Sequence, residues 1–102
     1  MISIYGDRSG MTIESNNHRR TFEYSKADDI EKAFNYIVVE NFIKNLYEDN
    51  IISREVMDND DFISDMLSEY ERRKDPNVIY EILMDCFNTL NINDYETEDI
   101  TK

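Results

Sequence analysis

Cysteine, proline, glycine and histidine are all scarce in this chain. The scarcity of cysteine and histidine excludes an internal disulfide and argues against a zinc or Cys/His site. The 102 residues include one cysteine, one proline, two glycines and one histidine. Cys86 has no second cysteine with which to form an internal disulfide, so a free, buried thiol in a reducing compartment is expected. His18 lies far from Cys86 in the sequence, so neither a zinc site nor a Cys/His nucleophilic pair is expected.

Positive charge and long apolar runs are also scarce. Eleven Lys and Arg stand against 23 Asp and Glu, which gives a formal net charge of -12. Such a chain repels nucleic acid and anionic lipid but favours encounter with basic proteins. The longest apolar runs are far shorter than the roughly 18 residues of a membrane-spanning helix, and residues 1–10 lack the pattern of a signal peptide. We therefore expect a cytoplasmic protein that does not bind nucleic acid or membranes directly.

Motifs that carry chemistry are absent as well. The glycine-bounded GDRSG loop lacks the lysine and the spacing of a phosphate-binding loop. The string DNDD at 58–61 resembles part of a calcium loop, but Phe62 and Ile63 stand where that loop needs an oxygen ligand and a glycine. The carboxylates give no sign of the distinct environments that acid and base catalysis requires. We expect no metal, no cofactor and no enzymatic activity.

The apolar pattern predicts a single α+β domain over 1–102, beginning with a small antiparallel β-meander at 1–24. Residues 2–5 and 11–15 alternate in the manner of strands and flank the glycine-bounded loop. A polar turn of Asn16, Asn17 and His18 precedes a third strand at 21–24, and His18 is expected to be exposed in that turn. Arg19 and Arg20 beside this strand either pair with acidic helices or remain exposed.

About three helices are predicted in residues 25–91, followed by an acidic tail at 92–102. The first runs over 26–48 after the capping residue Ser25, and Asn50 is a plausible left-handed stop. Ser53 caps a short turn, and Asp58 or Asp60 caps a helix that reaches about Lys74. The pattern leaves open whether 53–73 is one helix or two.

The last helix is predicted from an aspartate and a proline. Asp75 can cap and Pro76 suits the first helical position. The apolar stripe of this helix comprises Ile79, Leu83, Cys86, Phe87 and Leu90.

The net negative charge belongs to residues 25–102, which comprise the predicted helices and the acidic tail. Residues 1–24 contain three acids and three bases, so the whole net charge belongs to the rest. Acids such as Asp61 and Asp65, or Asp65 and Glu69, recur one helical turn apart, where like charges are destabilising. Two interpretations fit: the acids provide solubility, or they form a surface for a basic protein groove.

Two acidic segments stand out: NLYEDN at 45–50 and MDNDDFISDMLSEYE at 57–71. With them, the chain resembles in overall character the small DNA-mimic inhibitors of phages and mobile elements, notably anti-CRISPR proteins. The resemblance covers mainly residues 47–99. It implies carboxylates that occupy the site where a nuclease binds phosphates. Carboxylates suit this role because they accept hydrogen bonds from the Arg and Lys side chains that bind phosphate.

The partner-binding residues predicted on this basis are acids in and between two helices, with two tyrosines expected to face the partner. The set is Tyr47, Glu48, Asp49, Asp58, Asp60, Asp61, Asp65, Glu69 and Tyr70. The alternative is a helical accessory or assembly protein, with a homodimer as one form, that uses the apolar face of the first helix at Val39, Phe42 and Leu46. Salt distinguishes the two, because carboxylate contacts weaken with ionic strength and apolar contacts do not.

Overall fold

Three antiparallel strands begin the chain in the computed structural model, which describes residues 2–25 and 27–96. The strands are β1 (Ser3–Gly6), β2 (Gly10–Ser15) and β3 (His18–Glu23), and they are ordered β1-β2-β3. Tyr5 pairs with Thr12, and Thr12 pairs with Thr21, whose hydroxyl lies 3.1 Å from that of Thr12. The predicted meander is confirmed, and the chain as described is an α+β protein.

The turn between β2 and β3 consists of two residues, not three. Asn16 and Asn17 have φ angles of 51° and 71°, the left-handed region that asparagine tolerates and that two-residue hairpin turns require. Ser15 therefore pairs with His18 as the first pair of the ladder. The prediction of an exposed His18 was wrong, because strand alternation places it on the same inner face as Phe22, and it is 9% exposed.

The turn between β1 and β2 is closed by an aspartate and by close backbone packing. The Asp7 carboxylate accepts hydrogen bonds from the backbone N–H groups of Ser9 and Gly10 and from the Ser9 hydroxyl. These bonds lower the pKa of Asp7. A Cβ at Gly10 would lie 2.2 Å from the carbonyl oxygen of Phe22, so only glycine fits there. Asp7 and Ser9 therefore form the turn within the glycine-bounded loop that the sequence predicted.

The first helix and its stop match the sequence. Helix α1 spans Ala27–Glu48, while its predicted first residue, Lys26, lies outside the described residues. Asn50 has a φ of 63°, and the N–H of Ile51 bonds to the carbonyl of Leu46. This left-handed ending satisfies carbonyls of the last turn that have no partner within the helix.

Residues 53–73 form two helices, which resolves the question that the sequence left open. Helix α2 (Arg54–Met57) is capped by the Ser53 hydroxyl, and helix α3 spans Asp60–Arg73. Asn59 caps α3, since its side-chain oxygen accepts from the N–H groups of Asp61 and Phe62 at 2.8 and 3.1 Å. The predicted caps Asp58 and Asp60 were therefore wrong: Asn59 occupies the extended position between the helices, and Asp60 is already helical.

The last helix begins later than predicted. Helix α4 spans Ile79–Thr89, and the Asp75 carboxylate instead accepts from the N–H of Asn77 in a preceding turn. Pro76 lies in that turn. A single 3₁₀ turn then forms at Ile92–Tyr95, where the sequence predicted only a tail. It forms because Tyr95 is buried, at 8% exposure; residues 97–102 of the predicted tail lie outside the described residues.

The sheet and the three longer helices pack in successive layers, each against the one before it. Helix α1 packs against β2 and β3, α3 packs against α1, and α4 packs against α3. Phe22 of the sheet contacts Tyr36 of α1, and Phe62 of α3 contacts Phe87 of α4 and Tyr95. Leu83 and Cys86 of α4 are buried, so the expectation of a free, buried thiol is confirmed. Among the helices in the described ranges, none is long and apolar enough to cross a membrane.

Candidate functional site

Antiparallel packing of α1 and α3 places most of the predicted acids at one end of the molecule. Lys74 at the end of α3 pairs with Glu31 near the start of α1, and Asn35 donates to Glu71. The last turn of α1 therefore lies toward the same end as the first turn of α3. Helix α2 contacts α1, α3 and the 3₁₀ turn and joins them there. We call this region the acidic end; it comprises Glu48, Asp49, Asp58, Asp60, Asp61, Asp65 and Asp94.

The charges of three carboxylates of the acidic end act on one tyrosine. The Tyr95 hydroxyl donates to Oδ2 of Asp65 over 2.7 Å, and Asp61 and Asp94 act on it through their charge. Burial raises the pKa of Tyr95, and so do the hydrogen bond to Asp65 and the charges of Asp65, Asp94 and Asp61. All three aspartates are exposed. Within the described ranges none of them forms an ion pair; Asp65 accepts the hydrogen bond from Tyr95, and Asp61 lies in the first turn of α3, where the helix dipole favours an anion.

Glu48 and Asp49 at the end of α1 are also exposed and form no ion pair with a described residue. Their position is unfavourable for the helix, because the carbonyl ends of α1 point toward them and the helix dipole disfavours anions there. The last turn of α1 contains no basic residue. These two acids lie at a helix end that disfavours anions, and no ion pair within the described residues offsets that cost.

Asp58 and Asp60 differ from the other acids because each has a partner. Asp58 is half-buried and lies 3.7 Å from Arg54, one turn earlier. Asp60 has a largely exposed side chain, and its Oδ1 lies 3.1 Å from Nε2 of His18. The side chain of Asn59 between them caps α3 and donates to the carbonyl of Tyr95. In the described residues no group of three His, Cys, Asp or Glu side chains has the arrangement of a metal site.

The remaining three predicted contact residues are poorly placed for a partner. Tyr70 is 4% exposed and packs in the core, so the prediction that it faces a partner was wrong. Its spacing from Ile63, Met66 and Leu67 places it on the buried face of α3. Glu69 pairs with Arg72 and Arg73 and lies outside the acidic end. Tyr47 is half-buried and packs against the core, so only part of its ring is available.

The two arginines of β3 have separate roles. Arg19 lies on the outer face of the sheet, 3.6 Å from Glu14 of β2, where both side chains are well exposed. The Arg20 guanidinium lies 5.1 Å from the centre of the Tyr36 ring and donates to the Ser64 hydroxyl at 3.4 Å. Arg20 therefore packs onto the helices, although its hydrogen-bond partner is a serine and not one of the acids that the sequence suggested.

The apolar face of α1 is used within the chain. Val39, Phe42 and Leu46, on which the assembly hypothesis depended, are 0%, 5% and 3% exposed. They meet neighbouring helices of the same chain; the Phe42 ring, for example, lies 5.9 Å from that of Tyr80. Exposed apolar side chains occur elsewhere, on the edge strand β1 at Ile4 and Tyr5, which are 53% and 47% exposed.

Sequence reasoning missed three residues of this region: Asp94, Glu40 and His18. Asp94 was assigned to a tail, although the buried Tyr95 beside it could have indicated an ordered turn. Glu40 is 0% exposed and was hidden within the apolar run of α1. The alternation of His18 with Arg20 and Phe22 was the available signal for an inward-facing histidine. Comparison with known proteins gives no further assignment, because no family model, curated protein or solved structure matches this chain.

Proposed function

We propose that this protein is a non-enzymatic cytoplasmic inhibitor that binds the basic nucleic-acid groove of a DNA- or RNA-binding enzyme, with a CRISPR nuclease as the first candidate. The observation that carries the proposal is the group of exposed carboxylates at the acidic end that have no basic partner among the described residues. The charges of Asp61, Asp65 and Asp94 all act on Tyr95, and Glu48 and Asp49 lie at the end of α1. Basic side chains of a partner would pair with these carboxylates.

The distribution of bases supports the same proposal. Arg72, Arg73 and Lys74 are concentrated at the opposite end of α3, where they pair with Glu69 and Glu31. Toward the start of α3, Asp60 contacts His18, but Asp61 and Asp65 form no ion pair with a described residue. The helix dipole favours an anion at Asp61 in the first turn, so Asp65, together with Glu48 and Asp49 at the end of α1, carries the argument for a partner.

The spacing of the carboxylates supports mimicry by several elements together. Duplex DNA presents one charge per about 1.7 Å of axis, whereas acids one turn apart on a helix are separated by about 5.4 Å. One helix therefore reproduces only part of that density. The acidic end combines the end of α1, the α2–α3 turn, the first turns of α3 and the 3₁₀ turn, which raises the number of charges that one groove meets.

A competition experiment tests the proposal. Purified guide-loaded CRISPR nucleases, with a restriction endonuclease for comparison, are bound to fluorescent target duplex, and the anisotropy is followed as the protein is added. We expect displacement of the duplex from at least one nuclease at low salt, and weaker displacement as salt rises. Failure of the protein to displace duplex from any of the enzymes at low salt contradicts the proposal.

Matched variants then assign the surface. The test variant carries Glu48→Lys, Asp49→Lys and Asp61→Lys, three exposed positions of the acidic end. The control carries Asp28→Lys, Glu81→Lys and Asp85→Lys, which make the same change in net charge at exposed positions elsewhere. Loss of displacement in the first variant alone assigns binding to the acidic end. If both variants lose displacement equally, displacement depends on the overall charge of the protein and not on the acidic end.

Self-association is a second candidate, favoured by the exposed edge strand. Every residue of β1 is exposed, and an unpaired strand edge with Ile4 and Tyr5 can pair with another strand. Residues 1–24 are also the part of the chain without net charge, so two copies would repel least there. The molar mass from light scattering decides this: a monomer across the concentration range excludes a stable dimer, and a dimer dissociated by Ile4→Lys supports it.

A further inference from the structure

A buried ion pair links the sheet to the acidic end. Nδ1 of His18 lies 3.4 Å from Oε2 of Glu40 in α1, while Nε2 lies 3.0 Å from the carbonyl oxygen of Asp58 and 3.1 Å from Oδ1 of Asp60. His18 is 9% exposed and Glu40 is 0% exposed. One imidazole thus contacts α1, the α2–α3 turn and the first residue of α3.

All groups that the two ring nitrogens meet are hydrogen-bond acceptors. A carboxylate and a carbonyl have no proton to donate, and a neutral imidazole can donate from only one nitrogen. The neutral form would set a lone pair of His18 against an oxygen of Glu40, Asp58 or Asp60. With Glu40 ionised, the imidazolium donates from Nε2 to the Asp58 carbonyl and forms an ion pair with Glu40 through Nδ1, so the geometry favours the charged ring.

The buried carboxylate of Glu40 is stabilised by the positive charge of the His18 ring. A fully buried carboxylate is stable only when it is paired and hydrogen-bonded. Asn16 donates to Oε1 of Glu40 over 3.0 Å, but the amide carries no charge. Among the described residues, no Lys or Arg forms an ion pair with Glu40, which leaves His18 as its counter-ion. The contact with Asp60 is weaker, because that side chain is 88% exposed and its charge is screened.

The charged and titratable groups around His18 come from each element packed against it. Tyr36 and Glu40 face it from α1, Asp58 and Asp60 from the α2–α3 turn, and Arg20 from its own strand. A second cavity that His18 lines also contains Glu14 of β2, Arg19 of β3 and Arg54 of α2. Burial alone would lower the pKa of His18. The contact with the Glu40 carboxylate and its charge, the hydrogen bond to the Asp58 carbonyl and the charge of Asp60 outweigh burial and raise the pKa of His18 from its ordinary value of 6.5. Burial and Glu40 raise the pKa of Tyr36, which stays a neutral phenol.

We propose that His18 is a positioning residue for the acidic end: its imidazolium, held between Glu40 and the Asp58 carbonyl, holds the α2–α3 turn in place, and loss of its proton releases that turn. The effect of His18 on partner binding rests on the proposed function. The effect of His18 on the α2–α3 turn does not depend on that function. His18 lines a cavity of about 400 Å³ with Arg20, Tyr36 and Asp60, which gives protons a route to the ring.

The direction with pH follows from the raised pKa of His18. Its contribution is fully present below pH 6.5, the value in an unfolded chain, and is lost as pH rises through the folded value. Ordinary carboxylates stay ionised over that range. A change at the α2–α3 turn above pH 6.5 therefore reports His18 and not the acids themselves.

Nuclear magnetic resonance tests the protonation of His18 directly, because the chain has a single histidine and hence one set of imidazole signals. We expect both ring nitrogens to be protonated at pH 6.5, a midpoint above that value, and backbone amides of residues 58–61 that shift with the same midpoint. A midpoint at or below 6.5 overturns the proposal. So do amides of 58–61 that do not follow the histidine.

Two matched variants separate the buried pair from general charge effects. Glu40→Gln keeps the shape and removes the charge, so we expect the His18 midpoint to fall. Glu14→Gln removes a carboxylate from the neighbouring strand that pairs with Arg19 on the outer face, and it should leave the midpoint unchanged. Equal midpoints in the two variants overturn the assignment of Glu40 as the counter-ion.

Binding is measured separately with a fluorescent arginine-rich peptide, whose charge is constant over this pH range. At fixed salt, we expect the affinity of the wild type to fall several-fold as pH rises through the His18 midpoint, while His18→Gln shows no such step. A peptide that binds with the same affinity across the midpoint overturns the positioning role. A peptide that does not bind at all counts against the proposed function, and the amide titration still decides the role of His18.

Discussion

The hydroxyl of Tyr95 donates a hydrogen bond to Oδ2 of Asp65 over 2.7 Å, and this bond joins the 3₁₀ turn to the exposed side of α3. Phe62 packs against the same ring, with the two centres 5.1 Å apart. The turn thus carries Asp94 to the acidic end through one buried aromatic residue. The side chain of Asn59, which donates to the Tyr95 carbonyl, is a further link between this turn and the start of α3.

The Tyr95 bond has a measurable contribution to stability. We expect Tyr95→Phe to lower the free energy of unfolding by about 1 kcal/mol, since the ring still packs but the Asp65 carboxylate loses its donor. The exposure of Asp65 keeps the loss small, because water replaces the hydroxyl. Tyr24→Phe is the control: Tyr24 is 45% exposed, and a change within about 0.5 kcal/mol is expected. Urea unfolding followed by circular dichroism measures both, and equal losses contradict the assignment.

The two asparagines of the β2–β3 turn should respond to glycine with opposite signs. Asn17 is exposed with a φ of 71°, a conformation that glycine adopts without strain, so Asn17→Gly should raise the free energy of unfolding by about 0.5 kcal/mol. Asn16→Gly should lower it by about 1 to 3 kcal/mol. The reason is that Nδ2 of Asn16 donates to both the carbonyl and the carboxylate of Glu40. Melting temperatures of the two variants on the same side of the wild type would refute this account.

The centre of the helical core lies at Phe62, which is 0% exposed between Phe87 and Tyr95. We expect Phe62→Ala to cost about 3 to 5 kcal/mol, because the removed ring leaves a cavity that rigid neighbours fill only in part. Phe34→Ala removes the same atoms from a side chain that is 65% exposed and should cost less than about 0.5 kcal/mol. Chemical denaturation compares the two. Similar costs would mean that Phe34 is covered in solution, for example by a second copy.

Local pattern was sufficient for most of the fold. The alternation in 11–15 placed β2 to within a residue, and the three-and-four spacing that predicted a helix over 26–48 placed the end of α1 at Glu48, because both periodicities follow from backbone geometry alone. The start of α4 was misplaced because Asp75 and Pro76 suit a turn as well as a helix start. Only the bond from the Asn77 N–H to Asp75 distinguishes the two.

The candidate surface was only half predictable. Composition and spacing identified the acids of α3, yet they also nominated Tyr70, which the packing of α3 buries. The spacing of Tyr70 from Ile63 and Met66 indicated that it is buried. The prediction instead gave weight to the acids on both sides of Tyr70. Asp94 was missed because its place beside Asp61 and Asp65 depends on the fold of the 3₁₀ turn against α3.

By itself, the sequence determined the order of strands and helices, the absence of an internal disulfide and the excess of negative charge in the helices. These properties depend on composition and on neighbours a few residues apart. Only the tertiary structure decided that the acids gather at one end and that His18 meets Glu40, Asp58 and Asp60. The reason is physical: such contacts join residues far apart in sequence, and their formation depends on how the helices pack on the sheet, which no local periodicity specifies.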